Sequence, residues 1–161
     1  MAQKVLVVST GGGRRKLAEE TIKPGLDELG LESEHVHFSA DPLYRGDRQD
    51  YDSVLQDGMD TLGTALRRRA SGLLIVDAPK PDLGSNPALS RIGHAIPLHV
   101  SSVVLAREMG VPSFLYDGRG GPLQSLDQDL QTALSVEAAQ FRAFGAISLG
   151  TDLRQMVPHL N

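Results

Sequence analysis

The stretch Lys4-Val5-Leu6-Val7-Val8-Ser9-Thr10-Gly11-Gly12-Gly13-Arg14-Arg15 decides the fold. Its first half is a valine-rich apolar run with no polar alternation. A strand reads this way when both of its faces are buried, as in a parallel sheet. The glycines stop the run. Beyond them Ala18, Ile22, Leu26 and Leu29 recur at three- or four-residue spacing, which is one face of a helix. Strand, glycine turn and helix together open a parallel α/β unit. Pro24-Gly25 interrupts the helical pattern and predicts a kink or an early end. Gly30 is the expected stop.

The same alternation continues down the chain. His35-Val36-His37-Phe38 reads as a second strand, followed by a polar loop from Ala40 to about Gln49. Val54, Leu55, Met59, Leu62 and Leu66 mark a helix, and Leu73-Leu74-Ile75-Val76 a third buried strand. Ala78 to Pro87 is rich in proline and reads as a loop. Leu89, Ile92 and Ile96 begin a helix that Pro97 breaks, and Val100, Val103, Val104 and Met109 form a second helical piece. Val111 to Tyr116 is a fourth strand, then Asp117 to Pro122 a glycine-rich loop. Leu126, Leu130, Leu134, Ala138 and Phe141 share a helix face; Ala146 to Leu149 is a fifth strand, and Leu153 to Leu160 a short terminal helix. Five strands alternating with helices predict a three-layer α/β sandwich around a parallel sheet of order 2-1-3-4-5. No linker or repeat divides residues 1–161, so one domain is expected.

Composition narrows the function classes. The chain has no cysteine, which removes disulfide, thiolate-metal and cysteine-nucleophile chemistry. Sixteen basic against twenty acidic residues leave a net charge of −4, so a nucleic-acid partner is not expected. Arg67-Arg68-Arg69 sits at a predicted helix end, where it answers the helix dipole. The apolar run after Met-Ala-Gln-Lys is too short for a signal peptide or a membrane span, so a cytoplasmic protein with no membrane partner is expected.

In such sheets the ligand lies beyond the carboxyl ends of the strands, where the strand order reverses. That rule selects three loops. In the first, Gly11, Gly12 and Gly13 let backbone N–H groups approach an anion, the following helix points its positive end there, Ser9 and Thr10 offer hydroxyls, and Arg14 and Arg15 offer charge. The residues fit a phosphate cradle. They match neither a Walker loop nor GxGxxG, because Lys16 holds the third glycine position. The second loop, Asp77 to Pro87, contains Pro79, Lys80, Pro81 and Asp82. The third carries Gly118, Arg119, Gly120 and Gly121, whose backbone amides can meet the carbonyl edge of a ligand. Tyr116 or Tyr44 can supply a stacking ring, or can simply pack. His35 and His37 fall on one strand face at i, i+2, a spacing that serves a metal but also suits a polar outer strand face.

The segment Gly72 to Ile96 resembles the NADPH-dependent FMN reductases, in which a buried strand ends in Pro-x-Tyr-Asn before a Gly-Ser pair and a helix. Pro79 and Gly84-Ser85 match; Asp41-Pro42-Leu43-Tyr44 is similar to the family's loop after strand two, and glycines 118, 120 and 121 to its loop after strand four. The resemblance extends over about residues 4 to 150 as pattern more than identity. Pro81-Asp82 stands in place of Tyr-Asn. The phosphate loop is closer to the Thr-Gly-rich loop of flavodoxins, and about a dozen residues from Pro97 to Met109 read as an insertion. The resemblance implies a flavodoxin-like fold and an FMN-binding oxidoreductase. Its FMN phosphate would lie on residues 9 to 15 and its ring between residues 79–85 and 117–121. NADPH or NADH would be the donor, and a quinone, a free flavin or another small molecule the acceptor. It also implies a homodimer or homotetramer. Two alternatives stay open on the residues. One is a flavin-free nucleotide or phosphosugar enzyme, performing N-glycosyl transfer or hydrolysis with Asp77, Asp82 or Asp117 as nucleophile or base. The other is a cofactor-less interaction module.

Overall fold

The computed structural model describes residues 3–10, 12–38, 48–77, 101–117 and 145–161. The strands are β1 (Lys4–Thr10), β2 (Glu32–Phe38), β3 (Gly72–Asp77), β4 (Ser113–Asp117) and β5 (Ile147–Gly150). All neighbouring pairs are parallel, and the order is β2-β1-β3-β4-β5, as the sequence pattern predicts. Chain direction along the sheet therefore reverses between β1 and β3, the place where such sheets carry ligands.

Strand geometry explains the apolar run of β1. Successive side chains point to opposite faces, and both faces are covered. Val5 and Val7, with Leu74, Val76, Phe114 and Tyr116, pack against Ala18, Ile22, Leu26 and Met156. Leu6 and Val8, with Leu73, Ile75 and Leu115, pack against Leu62, Ala65, Leu66, Val103 and Ala106. Each large side chain so buried contributes about 1.5–3 kcal/mol, so the central strands anchor two cores at once.

The first layer is α1 (Gly12–Leu17), a π-helical segment Ala18–Ile22, and α2 (Lys23–Glu28), joined without a break. The helix runs through Pro24 instead of stopping there. Proline lacks an N–H and its ring crowds the carbonyl four residues back, that of Glu20. The π-helical segment opens the backbone at that point, with the Lys23 N–H bonded to the Ala18 carbonyl. Gly30, at φ 72°, ends the helix as expected.

The second layer holds α3 (Arg48–Arg67) and the helical residues 101–108, here α4. Several boundaries move from those read in the sequence. β2 begins at Glu32, before the first histidine, and β4 begins at Ser113, after Val111 and Pro112. Arg69 takes a left-handed φ of 65° after α3, and Arg68 reaches the Glu34 carboxylate at 4.0 Å. The predicted tail helix is a 3-10 helix, Leu153–His159, whose start is capped by the Asp152 side chain accepting from the Arg154 N–H. Beyond it, Asn161 donates its backbone N–H to the Ser71 carbonyl and its side-chain N–H to the Gly110 carbonyl. The expected elements at 78–100 and 118–144 lie outside the described residues.

Candidate ligand site at the carboxyl edge of the sheet

β1 ends at Thr10 and α1 begins at Gly12, so two of the three glycines, Gly12 and Gly13, belong to the helix. The first N–H groups of a helix have no partner within it, and glycines there leave no side chain over them. This helix start follows β1 at the strand-order reversal between β1 and β3. Of the two arginines, Arg14 lies in the first turn of α1. Arg15 is exposed and pairs with Glu19 at 3.1 Å along the helix, leaving its guanidinium at the surface.

Ser9 stands differently from its expected role as a free hydroxyl beside the turn. It is fully buried. Its Oγ lies 2.6 Å from His35 Nε2 and 2.9 Å from His37 Nδ1. Register accounts for this convergence: Ser9 is the β1 partner of His37, and Val7 that of His35. Both imidazoles thus stand on the same face of β2 and flank one hydroxyl, with ring centroids 5.9 Å apart. β2 is the edge strand of the sheet, and on it His35 is exposed while His37 is half-buried. Burial holds both below the ordinary histidine pKa. For His35, Glu19 pulls the other way and Arg15 reinforces the shift; for His37, Arg15 and His35 reinforce it and Glu19 opposes. Among the described residues no three His, Cys, Asp or Glu side chains are grouped to hold a metal.

A cleft of about 230 Å³ opens beside His35, between β1, β2 and the helical layer, lined by Val7, Ala18, Glu19, Lys23, Ser33 and His35. At the other side of the strand-order reversal, Asp77 and Asp117 are register partners, the last residues of β3 and β4. Two carboxylate-bearing residues therefore end adjacent strands at one edge. Tyr116, a candidate stacking ring, is buried in the core beside Val76 and Phe114, and burial raises its phenol pKa.

The structure thus brings Ser9, Thr10, Gly12, Gly13, Arg14, Arg15, Tyr116 and the Asp77–Asp117 pair to the carboxyl half of one sheet. Gly11, Tyr44, Pro79, Lys80, Pro81, Asp82, Gly118, Arg119, Gly120 and Gly121 lie outside the described residues. The histidine–serine cluster was not legible in the sequence. Its one sequence signal, two histidines at i, i+2, says nothing of which strand residue they meet. Among the described residues no helix is long and apolar enough to cross a membrane. The chain matches no protein-family model and no curated protein sequence.

Proposed function

We propose that the chain binds a phosphate-bearing small molecule at the β1–α1 turn and acts as an FMN-binding, NAD(P)H-dependent oxidoreductase on a small acceptor such as a quinone or free flavin. The observation that carries this reading is the start of α1 at Gly12, two residues beyond the end of β1, which sets Gly12 and Gly13 of its first turn beside the β1/β3 strand-order reversal. Unpartnered N–H groups and the helix dipole favour an anion there. FMN fits this cradle through its phosphate, with the Gly12 and Gly13 amides as donors and Arg14 adding charge. The flavin supplies hydride chemistry when bound. The protein's part is to hold the phosphate and to exclude competing reactions. The test is titration of FMN into the protein, followed by quenching of flavin fluorescence. Micromolar binding that weakens by about tenfold in Arg14→Ala/Arg15→Ala, equivalent to ~1.4 kcal/mol, supports it. No quenching at any concentration refutes it.

The Asp77–Asp117 register pair favours a second reading, a flavin-free enzyme acting on nucleotides or phosphosugars by N-glycosyl transfer or hydrolysis. Paired carboxylates divide the work of nucleophile and acid when their environments push their pKa values apart. Asp77→Asn and Asp117→Asn, each assayed on nucleosides and nucleotides, decide it. Release of base by the wild type and its loss in both variants supports this reading. No release by the wild type refutes it.

A further inference from the structure

Two imidazole nitrogens converge on one hydroxyl oxygen that is shut away from water. A hydroxyl has one hydrogen to donate and lone pairs to accept. It therefore donates to one imidazole and accepts an N–H from the other. His35 uses Nε2 for this bond and His37 uses Nδ1, so each ring keeps its other nitrogen free of Ser9. When His35 donates from Nε2, His37 accepts at Nδ1 and both neutral rings carry their proton on Nε2. In the reverse arrangement both carry it on Nδ1, so the two rings share one tautomer and a change in one forces the same change in the other.

The ends of this chain of atoms lie in different places. His35 is exposed and lines the cleft with Glu19 and Lys23. His37 is half-buried and sits one residue before Phe38, which pairs with Thr10 at the carboxyl edge. That edge carries the start of α1 at Gly12.

We propose that His35, Ser9 and His37 form a proton relay between the cleft beside His35 and the ligand-bearing carboxyl edge of the sheet. This role rests on the reading that a ligand binds at that edge. In the forward step His35 gives its Nε2 proton to Ser9 Oγ as Ser9 gives its own to His37 Nδ1. His35 takes a proton at Nδ1 from water in the cleft, and His37 releases one from Nε2. One proton enters and one leaves, every group is neutral before and after, and the reverse step resets the tautomers. Burial favours this neutral bookkeeping, since a charged imidazole there loses hydration. Arg15 and Glu19, facing the rings from the helical layer, exert opposing fields on them. Ser9, His35 and His37 are thus positioning and proton-carrying residues, with no claim that they touch the substrate.

Reduction of a quinone by NADPH consumes one proton for each hydride transferred, yielding NADP⁺ and the hydroquinone, so the proposed reaction has a use for the relay.

Two measurements test it. The first needs no ligand. With ¹⁵N-histidine-labelled protein, two-dimensional NMR above pH 7 is expected to show His35 and His37 neutral and in the same tautomer, or exchanging together between the two. Ser9→Ala should break that match, and Ser9→Thr, which keeps a hydroxyl, should retain it. Unchanged histidine spectra in Ser9→Ala overturn the relay. If Ser9→Ala fails to fold, His35→Gln reports instead: a His37 tautomer population unchanged by it overturns the relay. The second uses protein loaded with FMN, NADPH and a benzoquinone, with proton uptake followed by a pH indicator dye. His35→Gln should slow uptake by about a hundredfold, in the range of general acid–base contributions, with FMN affinity unchanged and millimolar imidazole restoring the rate. Wild-type uptake in His35→Gln overturns the relay and leaves the flavin reading intact. If FMN does not bind, the flavin reading fails, and the NMR result alone decides the relay.

Discussion

Replacing Gly72 by alanine sets a methyl group against the C-terminal segment of the chain. A Cβ built on Gly72 would lie 2.6 Å from Leu160 Cδ2 and 3.1 Å from Phe114 Cε2. Carbon atoms pack best at about 3.5–4.0 Å, so the overlap is ~1 Å with Leu160 and ~0.5 Å with Phe114. Phe114 is fully buried and has nowhere to go, whereas Leu160 is only partly buried at the end of the chain described. Leu160 should therefore swing away and give up its packing on the core that holds Val5, Leu74 and Phe114. Overpacking of this kind costs about 1–3 kcal/mol. Removing a strand glycine returns about 0.5–1 kcal/mol. The midpoints of these two ranges give a net loss of about 1 kcal/mol for Gly72→Ala, read as a lowered urea midpoint with an unchanged slope. Leu160→Ala removes the nearer obstacle. In the double mutant the cost of Gly72→Ala should fall by at least about 0.5 kcal/mol, the threshold at which contacting residues couple. A Gly72→Ala protein as stable as the wild type, or a cycle that is additive, refutes this account of why glycine opens β3.

Stability should also depend on the histidine pair. Burial lowers both pKa values from the ordinary 6.5. The folded protein then binds fewer protons than the unfolded chain in that window, so stability is full above 6.5 and falls as pH drops through the lowered values. Urea midpoints between about pH 5 and pH 8 should show this slope, and His35→Gln/His37→Gln should flatten it; an unchanged slope refutes the assignment. Phe114→Ala should cost about 3–5 kcal/mol in urea unfolding, since a fully buried ring on the central sheet leaves a cavity; a cost under about 1 kcal/mol would mean the site collapses. Asp152 caps the 3-10 helix and is held below the usual carboxylate range by the Arg154 side chain. Asp152→Ala should speed amide exchange at Arg154 several-fold, while Asp152→Asn, which keeps a capping oxygen, should do so much less; equal rates in all three proteins refute the cap.

Much of the architecture was legible in residues alone. Val5 to Val8 has no polar alternation because both faces of β1 are covered, and period-2 geometry makes that visible without coordinates. Gly30 marked the end of the first helix because a left-handed residue there favours glycine. Other local signals were answered by tertiary structure. Pro24 read as a break, but the π-helical segment at Ala18–Ile22 makes room for its ring while Ile22 and Leu26 stay buried on one face. Propensity at one residue yields when several buried neighbours hold the helix in place.

The site divides along the same line. The residues of the proposed anion cradle, a valine-rich strand, three glycines and a helix start, lie in a dozen consecutive positions, so that proposal was legible in sequence. The strand order 2-1-3-4-5 was open to sequence only as an analogy for an alternating α/β chain, and the pairing itself comes from the sheet. What tertiary structure alone decided is which residues of separate strands stand side by side: Ser9 with His37, and Asp77 with Asp117. Register between parallel strands is set by how whole hydrophobic faces match across crossovers tens of residues long. No local stretch of sequence carries that information, because shifting a strand by one residue would turn every side chain to the other face.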